Sequence, residues 1–371
     1  MAENASTLLT YVHLTPTVTV VKPGIPNPLP KKLFSLTMDV PGNKAQYIEL
    51  YGTRKTARRQ PFGAPPRVAL KQPLDQVSML LLQVAQQMVF EQELATQLRE
   101  FASYTPQYKF AEQEVAFQGE NFRQTFENTR IASVAFSYSQ GKIWWDADGK
   151  LLPSATNAVV TIDQRIPAAN TGTVTDTNSV GGVVVNSPWS LPTTDIVTQV
   201  NTIKKLAAQR GGGYAPKYAL YGTNIPGYIS QNEVCQSLFP FFKEQAQAIT
   251  KQGIVPDDFL GLTWVPMQNM FYQDESDVNQ EIFRPDYVTF LPEIDRNTYT
   301  LFQGSRLIPK NFGVAGTGLE VLDNYISVTG MGRYAYPDFM GGFPMIVDVG
   351  FDTFLPQIKT PNAVFLVNTC P

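Results

Sequence analysis

The chain has 371 residues, and its 43% hydrophobic and 12% aromatic content supports a buried core and excludes wholesale disorder. Charged residues make up only 16%, which together with 28 prolines and 26 glycines indicates many turns and much surface covered by partners. Two cysteines, Cys235 and Cys370, are too few for a disulfide framework or a cysteine-based zinc site, so we expect two free thiols in a reducing compartment.

The N-terminal region predicts an extended arm over residues 1–33. Thr and Val alternate up to Val21, and four prolines between residues 23 and 30 then disfavour a helix. The segment has no basic stretch ahead of its apolar residues, so it is not typical of a secretory signal. No apolar run approaches the length of a membrane span, and we expect a soluble protein made in the cytoplasm.

Residues 34–72 predict a long β-hairpin. Two β-type runs, Tyr47–Tyr51 and Arg67–Leu70, enclose a tip that is too cationic and too rich in proline to be buried in its own core. A connection of this length normally belongs to a functional segment or one ordered by a partner. The residues that we expect to contact a partner are Arg54, Lys55, Arg58, Arg59, Phe62, Pro65 and Arg67.

The charge of the chain is distributed unevenly. Residues 1–72 hold ten Lys/Arg and three Asp/Glu, a net charge of +7, whereas the other 299 residues hold 19 and 29, a net charge of −10. The front of one copy can therefore complement the body of another. A solvated basic loop and a nucleic-acid patch are the alternatives, although the tip lacks the interleaved aromatic residues of a base-stacking platform.

Two helices are predicted next. The first opens at Pro73-Leu74-Asp75, with apolar residues near helical spacing, and the second covers roughly Glu112–Ser137 and ends at Ser139-Gln140-Gly141. The apolar residues of the first are Val77, Leu80, Leu81, Val84, Met88, Leu94 and Leu98.

The middle of the chain mixes short elements. KIWWDADGKLLP predicts a hairpin with Asp148-Gly149 at its turn, and residues 154–188 predict β ribbon and loops. An amphipathic helix follows, capped by Thr194 or Asp195 and ended by the glycines at 211–213. Its packing residues are Ile196, Val200, Ile203 and Leu206.

The second half predicts mainly strands. KYALYGT predicts a buried strand and Pro226–Phe242 a short helix with a turn. From Leu262 to the end the pattern predicts strands and turns, and it closes with the β-type runs Met345–Phe351 and Ala363–Val367.

No catalytic constellation stands out. The single histidine, His13, lies in the arm, which argues against a nucleophilic triad and against histidine-based metal catalysis. The acidic residues from Asp274 to Glu281 break the calcium-loop pattern. The carboxylate pairs Glu293 with Asp295, and Asp257 with Asp258, leave a carbohydrate-active enzyme as a remote alternative. We therefore expect no enzyme, no cofactor and no metal.

The order of these elements resembles the phage major capsid protein E family, the lambda-type branch of tailed-bacteriophage capsid proteins. The resemblance covers about residues 35–371. It is carried by YGTRKTARRQPFGAPPRVALK, SVAFSYSQGKIWWDADGK, the WSLPTTDI helix start and RYAYPDFMGGFP…FLPQIKTPNAVFLVNT.

The resemblance implies an α+β, Hong Kong 97-like capsid fold. Its parts would be an N-terminal arm (1–33), an extended E-loop hairpin (34–72), a peripheral domain with a long spine helix and a β ribbon (73–188), an axial domain (189–330) and C-terminal strands returning to the peripheral domain (331–371).

The implied function is a self-assembling major capsid protein of the virion, made in the host bacterial cytoplasm. Its copies would form hexamers and pentamers of an icosahedral head that encloses double-stranded DNA without sequence specificity. Portal, scaffolding and decoration proteins would be further partners, with no membrane involved. A tail or decoration component is the main alternative. We also expect that deleting residues 1–30 weakens assembly with little change in the melting temperature of the subunit.

Overall fold

The structure is a computed structural model with mixed helices and sheets, and the predicted α+β class is confirmed. It describes residues 25–50, 74–90, 106–173, 188–238, 249, 253–256, 258–268, 270–273, 278–309, 325–340 and 343–370. Within these ranges the α-helices are α1 (Lys32–Ser35), α2 (Pro106–Ser139), α3 (Ile196–Arg210), α4 (Ile225–Gln231) and α5 (Glu233–Leu238). The strands are β1 (Thr37–Val40), β2 (Lys44–Leu50), β3 (Leu74–Leu80), β4 (Leu82–Phe90), β5 (Lys142–Trp145), β6 (Leu151–Leu152), β7 (Val160–Asp163), β8 (Thr171–Thr173), β9 (Pro216–Tyr221), β10 (Thr263–Pro266), β11 (Phe271–Gln273), β12 (Asn279–Glu281), β13 (Tyr287–Pro292), β14 (Tyr299–Pro309), β15 (Tyr325–Thr329), β16 (Gly332–Met340), β17 (Phe343–Ile358) and β18 (Phe365–Asn368).

The largest sheet is organised around β17, a strand of 16 residues. Along its length β17 pairs antiparallel with β16, β4 and β14, while β14 also pairs with β1 and, through its second half, with β15. A single long strand therefore joins segments from the beginning and the end of the chain.

The long helix α2 packs across this sheet. It has 34 residues, a length of about 50 Å. Pro106 is its first residue, as suits a proline that lacks the N–H which a helix start leaves unused, and Gly141 follows its end with φ +69°. Phe122 and Phe126 lie so close to Gly350 that a Cβ there would be 2.6 and 2.5 Å from their rings. The predicted second helix is confirmed, with its start six residues earlier.

The predicted first helix is wrong. The segment after Pro73 forms β3 and β4, and β4 pairs over nine residues with β17. The same spacing of apolar residues is also compatible with a strand, and the pairing of β4 with the distant strand β17 favours the strand over the helix. Leu94 and Leu98 of the predicted helix lie beyond the described residues.

A five-stranded sheet in the order β10-β9-β13-β18-β8 lies between two cores. Leu220, Leu291 and Leu366 belong to the core that includes the C-terminal half of α2. The residues next to them in sequence belong to the core around α3. These neighbours are Ala219, Tyr221, Phe290, Phe365 and Val367.

Helix α3 follows its prediction closely. The Asp195 carboxylate accepts from the Thr198 N–H at 2.9 Å and caps the helix, and Gly211 follows its last residue. Ile196, Val200 and Ile203 are buried, as expected. The side chain of Leu206 is partly buried against the same core.

Two predictions near the N-terminus are wrong in the described residues. Leu29 and Leu33 of the predicted extended arm are buried, the latter within α1. Strand β1 of the predicted hairpin pairs with β14 of the large sheet.

Several other predicted elements are confirmed. KIWW forms β5, which pairs with β6 across the predicted turn, and both Trp144 and Trp145 are buried. KYALY forms β9, and the region from Pro226 holds α4 and α5. The predicted run Met345–Phe351 lies within β17, whereas Ala363–Val367 begins in a 3-10 turn and enters β18 only at Phe365. In the part of the chain that the structure describes, no helix is long and apolar enough to cross a membrane.

Candidate functional site

The residues predicted to contact a partner all lie in residues 51–73, outside the described ranges. They are Arg54, Lys55, Arg58, Arg59, Phe62, Pro65 and Arg67. The predicted return run Arg67–Leu70 belongs to the same segment, and the return strand that the structure describes is β3 at residues 74–80. The structure therefore describes the attachment of this connection to the body.

The attachment is a two-stranded antiparallel sheet, which we call the hairpin base. Strands β2 and β3 pair in seven positions, from Lys44 with Leu80 to Leu50 with Leu74. One face carries Ala45 and Val77, which are buried, and Tyr47, whose ring stacks on Phe302 of β14 with centroids 5.9 Å apart. Lys44, Gln46, Ser78 and Leu80 on the other face are exposed. Burial of one face fixes the register of the pair.

The hairpin base is held to β14 by a close backbone approach. A Cβ on Gly304 would lie 2.6 Å from the Thr353 methyl, 2.7 Å from the Gly42 carbonyl oxygen and 2.8 Å from a Leu81 methyl. The Gly42 N–H donates to the Ser305 hydroxyl at 3.1 Å. Only a glycine at position 304 lets Gly42, just before β2, and Leu81, just after β3, come this close to the sheet.

A buried ion pair joins α2 to β17. Arg130 donates from Nε to Asp352 Oδ2 at 3.0 Å and from its second guanidinium nitrogen to Oδ1 at 2.6 Å. The Asp352 side chain is 0% exposed and that of Arg130 is 16% exposed. Burial raises the pKa of the Asp352 carboxyl, and Arg130 opposes that rise. Sequence reasoning missed this pair, because no local pattern links two residues so far apart in one chain.

The carboxylates considered for carbohydrate chemistry serve the surface and a turn. Glu293 is exposed and accepts from Lys217 at 2.9 Å, and this hydrogen bond lowers the pKa of its carboxyl. Asp295 accepts from the backbone N–H groups of Asn297 and Thr298. A glycosidase acid needs a raised pKa, so this pair does not fit that role. Asp257 lies outside the described residues.

Other candidate groups for chemistry are dispersed. His13 and the residues from Asp274 to Asp277 are not among the described residues. No group of three His, Cys, Asp or Glu within the described ranges could hold a metal ion. Cys235 is buried and Cys370 half-buried, and both are free thiols.

Comparisons with solved structures return capsids and encapsulins. The PhiM1 bacteriophage mature capsid is 12% identical, with 95% of this chain and 90% of that chain covered, at a TM-score of 0.48. The capsid of the native GTA particle is 11% identical over 96% and 94%, with a TM-score of 0.47. The SrpI encapsulin complex from Synechococcus elongatus PCC 7942 is 10% identical over 95% and 92%, with a TM-score of 0.43. No family model and no curated protein matches the sequence.

Two of these three neighbours are capsids and the third is an encapsulin. Identities of 10–12% and TM-scores below 0.5 assign no role to any residue of this chain. The functional interpretation therefore depends on its own hairpin base, its long helix and its distribution of charge.

Proposed function

We propose that this chain is the major capsid protein of a tailed bacteriophage, which self-assembles into the icosahedral shell around double-stranded DNA. The proposal includes membership of the major capsid protein E family and assembly through hexamers and pentamers in the host bacterial cytoplasm. It also includes portal, scaffolding and decoration partners, and no catalytic activity. The arm, E-loop, peripheral and axial divisions predicted from the sequence are part of the same proposal.

One observation carries the proposal: the hairpin base is fixed to the body while the connection that it holds is strongly cationic. Residues 51–73 contain six Lys/Arg and no Asp/Glu, a net charge of +6, and the rest of the chain has a net charge of −9. With about 3.3 Å per residue, each half of this connection can reach roughly 35 Å from the ends of β2 and β3. A tip at that distance meets the acidic surface of a second copy more readily than it enters its own core.

The fixed base gives such a contact its direction. Tyr47 and Val77 pack on the body, and Gly304 admits the Gly42 carbonyl, so the connection leaves from one defined place. A predefined exit lowers the ordering entropy that binding must overcome. Interfaces of this kind bury on the order of 1,600 Å², and a closed shell multiplies them in each subunit.

The test is a charge reversal at the tip. Arg58→Glu with Arg59→Glu should give a folded subunit that enters closed shells at least about tenfold less than the parent chain, because the net charge of residues 51–73 falls from +6 to +2 and the two new carboxylates repel the acidic body. Negative-stain electron microscopy and sedimentation measure the shell fraction. The matched control is Lys205→Glu with Arg296→Glu, which makes the same change of charge at two exposed residues of the body.

The outcomes separate the candidate functions. Normal shells from the Arg58/Arg59 variant would contradict the assigned contact. Tubes, spikes or trimers from the parent chain would favour a tail or decoration component, and dispersed monomers that cleave polysaccharide would favour an enzyme.

A further inference from the structure

Strand β4 has an edge that the described residues leave open. Within the described ranges β4 pairs only with β17, so the N–H and C=O groups of its other edge have no strand beside them. Its sequence, LQVAQQMVF, has no charged residue and no proline over nine positions. Proteins usually protect such an edge with charges, proline or a covering segment, since an uncharged edge recruits other strands. A covering segment is therefore expected at this edge.

The open edge adjoins a crevice beside α2. Gln86 and Met88 of β4 and Asn121 and Thr125 of α2 line this crevice, whose volume is about 470 Å³. One turn earlier on the same helix face Phe117 is 39% exposed. Positions 117, 121, 125 and 128 lie on one face by helical spacing, so an apolar ring and small polar groups extend along the edge of the sheet.

The N-terminal part of the chain reaches the body on this face. The Ile25 N–H donates to the Asn128 side-chain oxygen at 3.0 Å, and Leu29 is buried with 3% exposure. Asn128 lies about 5–10 Å along the helix axis from Thr125 and Asn121. Ile25, to which residues 1–24 are attached, therefore lies next to the crevice.

The segment best suited to the edge is Thr17–Val21, where Thr and Val alternate without a charge between Pro16 and Lys22. It lies four to eight residues from Ile25, a reach of roughly 13–27 Å, which spans the crevice. We propose that Thr17–Val21 adds as a strand to the open edge of β4 in the same chain and covers the crevice. The cationic connection 51–73 is a poor occupant, because β4 offers it no acidic partner.

Disulfide scanning tests the pairing. Single cysteines at positions 17 to 21 are each combined with Gln87→Cys in a Cys370→Ser background, because Gln87 is exposed and tolerates the change. A disulfide requires Cα atoms about 4.4–6.8 Å apart. After mild oxidation of dispersed subunits, at least one register should form an intramolecular disulfide in at least tenfold higher yield than the same arm cysteines paired with Thr161→Cys, an exposed residue of β7.

Amide exchange gives a second readout. Val18→Pro with Val20→Pro should speed exchange of the outward amides of β4 at least tenfold, because proline lacks the N–H that the pairing uses. The matched control, Thr7→Pro with Leu9→Pro, should leave that exchange unchanged.

Three results would overturn the proposal. The first is a disulfide yield equal to that of the Thr161→Cys control, and the second is amide exchange of β4 that neither pair of proline substitutions changes. The third is a disulfide that joins two chains. The third would mean that the arm of a second copy occupies the edge. All measurements use dispersed subunits, so their outcome is independent of whether the chain forms shells.

Discussion

Removing the guanidinium of Arg130 tests how the long helix is held. Arg130→Met keeps an apolar stem against the Phe354 ring, which lies 5.5 Å from the guanidinium carbon, but leaves Asp352 buried with no partner charge. Breaking a buried pair from one side costs about 3–5 kcal/mol. Unfolding entropy is roughly 2.1 cal/mol/K per residue, so the melting temperature should fall by about 4–6 °C.

The loss should also depend on pH. Burial already raises the pKa of Asp352 above its unfolded value, and without Arg130 the pKa rises further. A carboxyl with a raised folded pKa binds more protons in the folded than in the unfolded state. Its contribution to the free energy of unfolding is therefore lost as the pH rises through the folded pKa, and acidification restores it. The difference in melting temperature between the Arg130→Met variant and the parent chain should therefore be smaller at about pH 5 than at about pH 7.5.

The assay is thermal unfolding of dispersed subunits followed by circular dichroism at both pH values. The matched control is Arg123→Met on the same helix, whose pairs with Glu120 and Glu127 are exposed and should contribute no more than about 0.5 kcal/mol each. Equal losses for the two variants, or a gap at Arg130 that widens on acidification, would refute the reasoning.

Three further predictions concern the hairpin base, the thiols and the arm. Gly304→Ala should destabilise the chain by about 1–3 kcal/mol in urea unfolding through overpacking, whereas Gly227→Ala, where nothing lies within 4 Å of a Cβ, should not destabilise it. Burial raises the pKa of Cys235 to about 12, so a thiol reagent at neutral pH should modify one thiol, Cys370, in the native chain and two after unfolding. Deleting residues 1–30 should cost about 2–5 kcal/mol more than deleting residues 1–22, because the longer deletion removes the buried Leu29; equal melting temperatures would contradict this.

The last of these differs from the expectation drawn from the sequence alone. Prolines around Leu29 indicated an extended arm, whereas the structure buries Leu29 and Leu33 in the large core and forms α1 at residues 32–35. A proline-rich sequence specifies an extended backbone and does not reveal whether its apolar residues are covered. The shorter deletion is therefore the one that tests the arm without damage to the core.

Local signals predicted the elements that carry their own start and end. Asp195 caps α3, Gly141 follows α2, and Asp148-Gly149 turns the β5–β6 hairpin, and each works within a few residues. The strands β3 and β4 could not be predicted in this way, because their partners are fixed by contacts far along the chain. The same holds for the site: the charge of residues 51–73 can be read from the sequence, but the attachment at Gly304 depends on a distant strand.

The five-stranded sheet has a consequence for how the two cores unfold. In β18, Leu366 faces the core around α2 while Phe365 and Val367 face the core around α3, and β13 alternates in the same way through Leu291 and Phe290. Neither core can lose this sheet without exposing the other, since alternate residues of one strand cannot be separated. The predicted peripheral and axial parts should therefore unfold together, and a hairpin held by a neighbouring copy would act on the whole subunit.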